Sequence, residues 1–403
     1  MDKPRSGPKP MQNTSSPKGL SRIVALVLIT AAGAAFVAGV LFFGLSDQDI
    51  TQKDFIQYWA IGQQLAHGTD PYDVTAIVQL ERSVGLGASQ PKISLSPPTV
   101  FWPLLPLGWV SPKIGFILWT FLLIGCLAWS VWLLWRLNGC PHNLVHLFGF
   151  VFAPVSVCLM AGQLSIFLLL GLVLFFDLHR TRPGLAGAAL LPCALKPHLF
   201  ILFGCVLILW AIHRRTFRLL FWAVTALLAS CAMTLGIDIH VWSQYAHMMN
   251  GIRILKVFIP TFGEALRFLI DRNAVGLQFV PEVIGGIWAI WYFWTRRTRW
   301  DWTEHGLLLL LVSDVCSPYG FFTDECILLP LVLAGLYRAV EPGRAFVLLI
   351  IIDTIALAEV FSNVNIISPY YLWTSPAWLG WFLYATGKAA ISPAQADSGG
   401  STA

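Results

Sequence analysis

The chain has 403 residues and a formal net charge of +5, yet only 12% of its residues are charged and 57% are hydrophobic. Soluble globular proteins carry about 25% charged residues, so a soluble fold is excluded for most of the chain. Lipid is the expected solvent. We therefore count membrane spans rather than soluble domains, and no nucleic acid is expected as a partner.

The first apolar run, Ile23–Leu45, contains no charged residue. About 20 apolar residues cross the hydrocarbon core of a bilayer, so this run is predicted to span the membrane. It exceeds the apolar core of a signal peptide, which has about 7–15 residues, and should remain as the first helix. Residues 1–22 are rich in Lys, Arg, Pro and Ser and are predicted to be a disordered cytoplasmic N-terminus.

Eleven further apolar runs raise the prediction to about twelve transmembrane helices. They lie near residues 113–135, 144–160, 164–178, 184–196, 197–212, 219–236, 283–295, 305–316, 326–337, 345–361 and 371–386. The predicted fold is an all-α polytopic membrane domain over residues 23–386, followed by a disordered cytoplasmic tail, residues 387–403.

Arginine residues mark alternate connections between these runs. The connections that contain Arg136, Arg180, Arg214, Arg296 and Arg338 alternate with short connections that have almost no cations, apart from Lys196. This alternation is what the positive-inside rule predicts, and it places both termini in the cytoplasm.

Two long segments, residues 46–112 and 237–281, then lie outside. The cytoplasmic connections are too short for a nucleotide-binding domain, and the chain has no GxGxxG or P-loop sequence. Any chemistry is therefore expected on the external face. Eight cysteines show no metal-ligand spacing, although Cys316 and Cys326 flank one predicted external turn and could pair.

The external segment that follows the first span begins KDFIQYWAIGQQLAHGTDPYD, residues 53–73. On a helix over residues 54–66, Asp54, Tyr58 and Trp59 share one apolar, aromatic sector, as expected at a membrane interface. Asp54 has two interpretations: a helix N-cap, which is the ordinary role of such an Asp, or a carboxylate that accepts a proton. The two are compatible.

Further along the same segment, Gly68 is predicted to end this helix, and Asp70-Pro71 to begin another. A metal site formed by Asp54, Asp70 and Asp73 is conceivable, but the spacing is not specific for one. The following LSPPTVFWPLLPLGWVSPK, residues 95–113, has too many prolines for a lipid-exposed helix. It is either a packed connector or one wall of a lipid-entry groove.

A series of sequence motifs in chain order resembles glycosyltransferase family 87. These motifs are DFIQYW, DPYD, SPPTVFWPLLPL, GQLSIFLLLG, LAGAALLPCALKPHLF and SPYGFFTDECILLP, over about residues 50–340. Members of that family are membrane enzymes of the GT-C class that use polyprenyl-phosphate sugars, and the chain is similar to its polyprenol-phosphate-mannose-dependent mannosyltransferases. The resemblance implies a GT-C-like fold.

The resemblance also implies roles for single residues. It makes Asp54 the catalytic base, and it places Gln163 and Lys196 at the family's GQ and LKP motifs. Tyr319 stands where some members have His, which makes Asp324 the better match for a polar group in that loop. The residues expected to bind donor or acceptor are Tyr58, Trp59, Gln163, Lys196, His198, Tyr319 and Asp324.

Lys196 is the cation that stands out, because it interrupts an apolar stretch where a charge is costly and usually functional. A lysine whose charge snorkels to the surface is the competing interpretation. The other candidate cations are Arg253, Lys256, Arg267 and Arg272.

The first functional hypothesis is a plasma-membrane enzyme that moves a hexose, with mannose as the first choice, from a polyprenyl phosphate to an external lipid or glycan. Inversion by an Asp base is expected, without a cofactor, while metal dependence stays open. The alternative is a multi-span transporter or lipid flippase, since twelve spans with internal termini also suit a carrier. Carriers are often built from structural repeats, and the two halves of this sequence do not match visibly.

Overall fold

The structure is a computed structural model that describes residues 47–87, 91–251, 258–362, 364 and 368–387. The described residues form helices and connecting turns, without a strand. The predicted first span, the N-terminal segment before it, all but the first residue of the predicted tail, Arg253 and Lys256 lie outside the described residues.

The α-helices are numbered in chain order. They are α1 (Asp47–Thr51), α2 (Phe55–Ala66), α3 (Val74–Ser83), α4 (Pro112–Leu137), α5 (Ala153–Ala161), α6 (Ser165–Leu178), α7 (Pro183–Ala189), α8 (Ile201–Arg214), α9 (Phe217–Ile237), α10 (Val241–Gly251), α11 (Phe262–Ile270), α12 (Val280–Arg296), α13 (His305–Cys316), α14 (Leu329–Tyr337), α15 (Pro342–Phe361) and α16 (Thr374–Thr386). Short 3₁₀ helices lie at Pro98–Val100, Trp102–Trp109, Val145–Phe150, Leu191–Leu195, Pro197–Phe200, Val275–Phe279, Phe322–Leu328 and Pro369–Trp373.

Four helical segments within the described residues are long and apolar enough to cross a membrane. They are Pro112–Leu137, Pro197–Arg214, Phe217–Ile237 and Val275–Arg296, and each contains one of the predicted spans. Three other predicted spans form shorter apolar helices, at Ser165–Leu178, Pro183–Leu195 and His305–Cys316. The described residues are therefore all-α, and their long apolar helices indicate a membrane protein, while the count of twelve spans stays a prediction.

Several predicted spans are short because polar turns interrupt them. Helices α5 and α6 are separated by Gly162, which has a φ of 69°. Lys196 separates two 3₁₀ helices, and its φ of −136° and ψ of 66° are not helical. Broken helices within a membrane need protein partners for the freed backbone groups. One such partner is Asp353 of α15, whose carboxylate accepts the Ala153 N–H at the start of α5 at 2.7 Å.

The proline-rich segment packs against α2 as a connector. A Cβ atom placed on Gly108 would lie 2.2 Å from the Gly62 carbonyl oxygen, so both positions require glycine for this close approach. At the other side, Trp102 Nε1 donates to Ser230 Oγ of α9 at 3.0 Å, and this hydroxyl donates to the Thr99 carbonyl at 2.6 Å. These contacts favour the packed-connector interpretation.

The local helix boundaries in the first external segment are partly as predicted. Helix α2 ends before Gly68, whose φ of 66° lies in the left-handed region that favours glycine. The prediction that Asp70-Pro71 begins the next helix is wrong: Asp73 accepts the Thr75 and Ala76 N–H groups, and α3 begins at Val74. Asp70 instead accepts the Tyr72 N–H at 2.8 Å and stabilises the preceding turn.

The arginine-bearing connections contact one another. Arg136 donates to Asp177 at 2.5 Å, Arg180 pairs with Asp301, and Arg214 donates to the Thr298 carbonyl at 2.9 Å. The connection that follows α12 thus receives contacts from two others. These polar contacts join four of the connections that the arginine alternation assigns to the same side.

All eight cysteines are free, so the suggested pairing of Cys316 with Cys326 is not formed.

Candidate functional site

Asp54 is at the N-terminal end of α2, but its side chain does not cap that helix. The residue occupies the N-cap position with helical backbone angles and accepts no bond from the helix N–H groups. Its Oδ2 atom accepts from Gln163 Nε2 at 3.0 Å, and its Oδ1 atom lies 3.0 Å from Lys92 Nζ. The carboxylate therefore contacts residues that are distant in sequence, and the geometry does not support the capping interpretation.

Gln163 follows the tight turn between α5 and α6. Gly162 permits this turn, and a Cβ atom there would lie 2.8 Å from the Phe55 side chain. The Gly162 carbonyl accepts from Trp119 Nε1 of α4 at 2.8 Å. The turn is thus fixed against both α2 and α4, which positions the Gln163 side chain beside Asp54.

The orientation of the Gln163 amide follows from its neighbours. Its Oε1 atom lies 3.3 Å from the Leu164 N–H and 3.4 Å from Lys196 Nζ, and both of these groups are only donors. Tyr58 also donates its hydroxyl to Oε1, at 2.7 Å. The amide nitrogen is therefore the atom that faces Asp54, and the amide links the carboxylate of Asp54 to the ammonium of Lys196.

Lys196 and Asp324 form a buried ion pair with an Nζ–Oδ1 distance of 2.5 Å. Their side chains are 9% and 1% exposed, which argues against a lysine that snorkels to the surface. Ser165 Oγ donates to Asp324 Oδ1 at 2.6 Å and accepts from Lys196 Nζ at 3.2 Å. The second carboxylate oxygen, Oδ2, accepts the Phe321 N–H at 3.2 Å. The pair is thus satisfied by hydrogen bonds, as a buried pair requires.

The loop before Asp324 contacts the residues that follow Lys196. The rings of His198 and Tyr319 meet edge to face with their centroids 5.1 Å apart. The Nε2 atom of His198 is buried and has no hydrogen-bond partner. The structure thus brings these two predicted binding residues together, next to the ion pair.

The two aromatic residues predicted beside Asp54 have different environments. Tyr58 stacks on Trp119 at 5.4 Å, and burial, followed by the Asp54 charge, raises its pKa well above the usual value. It is therefore a stable hydroxyl donor to Gln163. Trp59 donates its indole N–H to the Val110 carbonyl at 2.9 Å, so it anchors α2 to the end of the proline-rich segment.

The other described candidate cations have partners of their own. Arg267 is 1% exposed and pairs with Glu264, which is also fully buried. The Arg272 guanidinium lies over the ring of Phe268, 4.5 Å from its centroid. Neither has a contact with Asp54, Gln163 or Asp324 among the described residues.

Three polar residues of the site were missed by the sequence reasoning. Ser165 lies two residues after Gln163, so the GQLS motif contained a signal for it. Lys92 and Glu81 lie in the first segment predicted to be external, where no pattern singled them out. Glu81 is fully buried, and one of its oxygens accepts the Lys92 backbone N–H at 3.2 Å while the other has no partner.

A second polar cluster lies behind the Asp324 loop. Ser375 Oγ lies 2.7 Å from Asp314 Oδ2 and 3.0 Å from Glu325 Oε1, and Glu325 also accepts from Thr374 and Trp378. A serine has one hydroxyl hydrogen and can donate to only one of the two carboxyl groups at a time. Both acids line the same cleft.

No group of three or more His, Cys, Asp and Glu side chains is placed to hold a metal ion in the part of the chain that the structure describes. The conceivable site of Asp54, Asp70 and Asp73 is not formed, because Asp70 stabilises a local turn and Asp73 caps α3.

These features, an all-α membrane protein with a carboxylate and an ammonium joined through one amide, suit a membrane-embedded transferase. A family model for glycosyltransferase family 87 matches residues 95–318, more than half of the chain. The chain belongs to glycosyltransferase family 87. Searches of curated proteins and of solved structures found no match. The matched region contains Gln163 and Lys196, whereas Asp54 and Asp324 lie outside it.

The buried Glu81 predicts a dependence of stability on pH. Burial raises its pKa from 4.5 to about 7, although the hydrogen bond and charge of Lys92 oppose this rise. The folded state therefore holds the proton more tightly than the unfolded state. The stabilisation is present below pH 4.5 and is lost as the pH rises through about 7, by up to about 3 kcal/mol.

Glu81→Gln should remove this dependence, because the amide is neutral at every pH and its oxygen can still accept the Lys92 N–H. The quantity to measure is the thermal midpoint of the variant minus that of the wild type, both in detergent. This difference is expected to rise between pH 4.5 and 7.5. Comparison at each pH cancels the titration of other groups. A difference in thermal midpoint that stays constant over this pH range would contradict the raised pKa of Glu81.

Proposed function

We propose that the enzyme transfers a hexose from a polyprenyl-phosphate donor to an extracytoplasmic lipid or glycan, with inversion, and that Asp54 is the general base. The observation that carries this proposal is the Gln163 amide, which bonds to Asp54 on one side and to Lys196 on the other. A base and a cation at fixed separation are what transfer from a phosphate leaving group needs. The resemblance to mannosyltransferases makes mannose the first sugar to assay.

The chemistry assigns separate tasks to these two groups. Asp54 takes the proton of the acceptor hydroxyl as that oxygen attacks the anomeric carbon, typically a ~10²–10⁴-fold contribution. The bond between the anomeric carbon and the phosphate oxygen breaks, and the phosphate gains negative charge. Lys196 stabilises this developing charge. His198 and Tyr319, next to the ion pair, are proposed to contact the sugar or the phosphate.

We propose that the site faces outward, in a topology of about twelve spans with both termini in the cytoplasm. The contacts between the arginine-bearing connections support this sidedness. Arg136, Arg180 and Arg214 each contact another such connection or its flanking helix. Asp54, Lys196 and Asp324 belong to the connections that the arginine alternation places on the opposite side.

Asp54→Asn tests the base. Asn retains an oxygen that can accept from Gln163, and Asp54 makes no cap bond whose loss could destabilise α2. The variant should insert normally and lose transfer by ~10²-fold or more. The assay follows labelled mannose from polyprenyl phosphate to lipids and glycans of the source membranes in detergent, where no compartments exist and transport cannot mimic transfer.

Asp73→Asn is the matched control, because it lies in the same segment and Asn caps helices as well as Asp. It should remain active. A fully active Asp54→Asn enzyme would leave Asp54 as a structural residue and direct the search for the base to Asp324 and Glu325.

Lys196→Met tests the cation, but it also leaves Asp324 as a buried, unpaired charge, which typically costs about 3–5 kcal/mol. The double variant Lys196→Met/Asp324→Asn removes both charges and should restore most of the lost thermal stability. It should still use the polyprenyl-phosphate donor poorly, with KM for the donor raised. A stable double variant with wild-type donor dependence would show that Lys196 serves only to neutralise Asp324.

Cysteine labelling tests the sidedness. An impermeant reagent applied to intact cells should reach cysteines introduced at exposed positions within 75–87 and at 240, and should miss those introduced within 180–183 and 296–302. Native Cys140 is exposed in the structure and follows Arg136, so it serves as an internal control that should stay unlabelled until the membrane is permeabilised. Labelling of the arginine-bearing connections in intact cells would overturn the outward-facing site.

A further inference from the structure

Both oxygens of the Asp54 carboxylate are occupied. Oδ2 accepts from Gln163 Nε2 at 3.0 Å, and Oδ1 is paired with Lys92 Nζ at 3.0 Å. A carboxylate that serves as a base needs an oxygen within hydrogen-bond reach of the acceptor hydroxyl. Each oxygen has a second lone pair, but the Lys92 ammonium 3.0 Å from Oδ1 competes with the acceptor hydroxyl for that oxygen. Departure of one partner removes this competition.

Lys92 is the partner that can leave. Gln163 is buried and its amide also bonds to Tyr58 and Leu164, so its position is fixed on several sides. The Lys92 side chain is 37% exposed, and the ammonium has no other ion-pair partner in the described residues. An ion pair of this exposure is weak, because solvent screens the attraction between the two charges.

The Lys92 backbone is nevertheless fixed in place. Its N–H donates to an oxygen of the buried Glu81 carboxyl group at 3.2 Å. The flexible four-carbon stem can therefore redirect the ammonium from a stationary backbone, over several ångströms around Asp54. Lys196 has no such freedom, because Asp324, Ser165 and Gln163 surround its Nζ.

We propose that Lys92 is a second phosphate-binding cation, which exchanges Asp54 for the phosphate of the donor and thereby frees the base. This inference rests on the proposed function, since it takes the ligand to be a lipid phosphate. Before the donor binds, Lys92 holds Asp54 in an inactive pair. The donor phosphate competes for the ammonium, and Oδ1 becomes available to the acceptor hydroxyl only when the donor is in place.

If Lys92 exchanges partners in this way, the effect of an Asp54 substitution on phosphate affinity should depend on the presence of Lys92. Polyprenyl phosphate without sugar is the probe, and its binding to the full-length protein in detergent is measured by titration. Asp54→Asn should bind the probe roughly 1.4- to 5-fold more tightly than the wild type, since Lys92 no longer has an internal competitor. Lys92→Met should bind it more weakly.

A double-mutant cycle separates this exchange from a simple through-space effect. Loss of the Asp54 charge favours an anion nearby even without Lys92. If Lys92 exchanges partners, the gain from Asp54→Asn should largely disappear in the Lys92→Met background. An equal gain in both backgrounds would overturn the inference.

Two control variants test whether the effect on probe binding is specific to the cation at position 92. Arg82→Met removes an exposed cation from the same segment and should leave probe affinity and its response to Asp54→Asn unchanged, whereas Lys92→Arg should preserve the coupling. Probe binding without coupling would refute the role of Lys92 alone. Absence of probe binding in every variant, the wild type included, would refute the lipid-phosphate donor and the exchange with it.

Discussion

The side-chain amide of Gln163 is the interaction on which the candidate site depends. One hydrogen-bonding group joins α2 through Asp54 and Tyr58 to the interruption at Lys196. The amide can do so because it offers a donor and an acceptor in one rigid plane. Its position follows from Gly162, whose left-handed conformation ends α5 and turns the chain into α6. A residue with a Cβ at that position would meet Phe55 and displace the amide from Asp54.

The ion pair behind this amide has an energetic cost that packing alone does not explain. Two buried charges lose solvation that their attraction rarely repays in full, and apolar residues of similar volume are often as stable. Lys196 and Asp324 lie where two interrupted helices meet, and Ser165 satisfies both. In the proposed reaction, an ammonium held there is already desolvated before a donor phosphate binds, so it need not reorganise during transfer. This favours a functional over a purely structural role.

Lys196 was singled out from the sequence because a charge interrupts an apolar run there. Gln163 was expected only from the resemblance to the GQ motif of the family. Hydropathy could not show how short the interrupted helices are, because the broken segments remain apolar on both sides of each turn. Asp70 and Asp73 are equally good caps by residue type, so the sequence alone did not decide between them, and in the structure Asp73 caps α3. No sequence pattern pointed to Lys92, because it contacts Asp54, which lies 38 positions earlier in the chain.

The charges of the site fit the course of the proposed reaction. Without donor, Asp54 and Asp324 balance Lys92 and Lys196, so the four side chains are neutral together. A sugar phosphodiester adds one negative charge, and this charge competes with Asp54 for the Lys92 ammonium. During transfer the acceptor proton neutralises Asp54 while the departing phosphate gains the second negative charge. The total charge stays constant, and negative charge moves from the carboxylate to the phosphate. Both cations are then needed at the phosphate, at the same stage at which Asp54 no longer needs a partner.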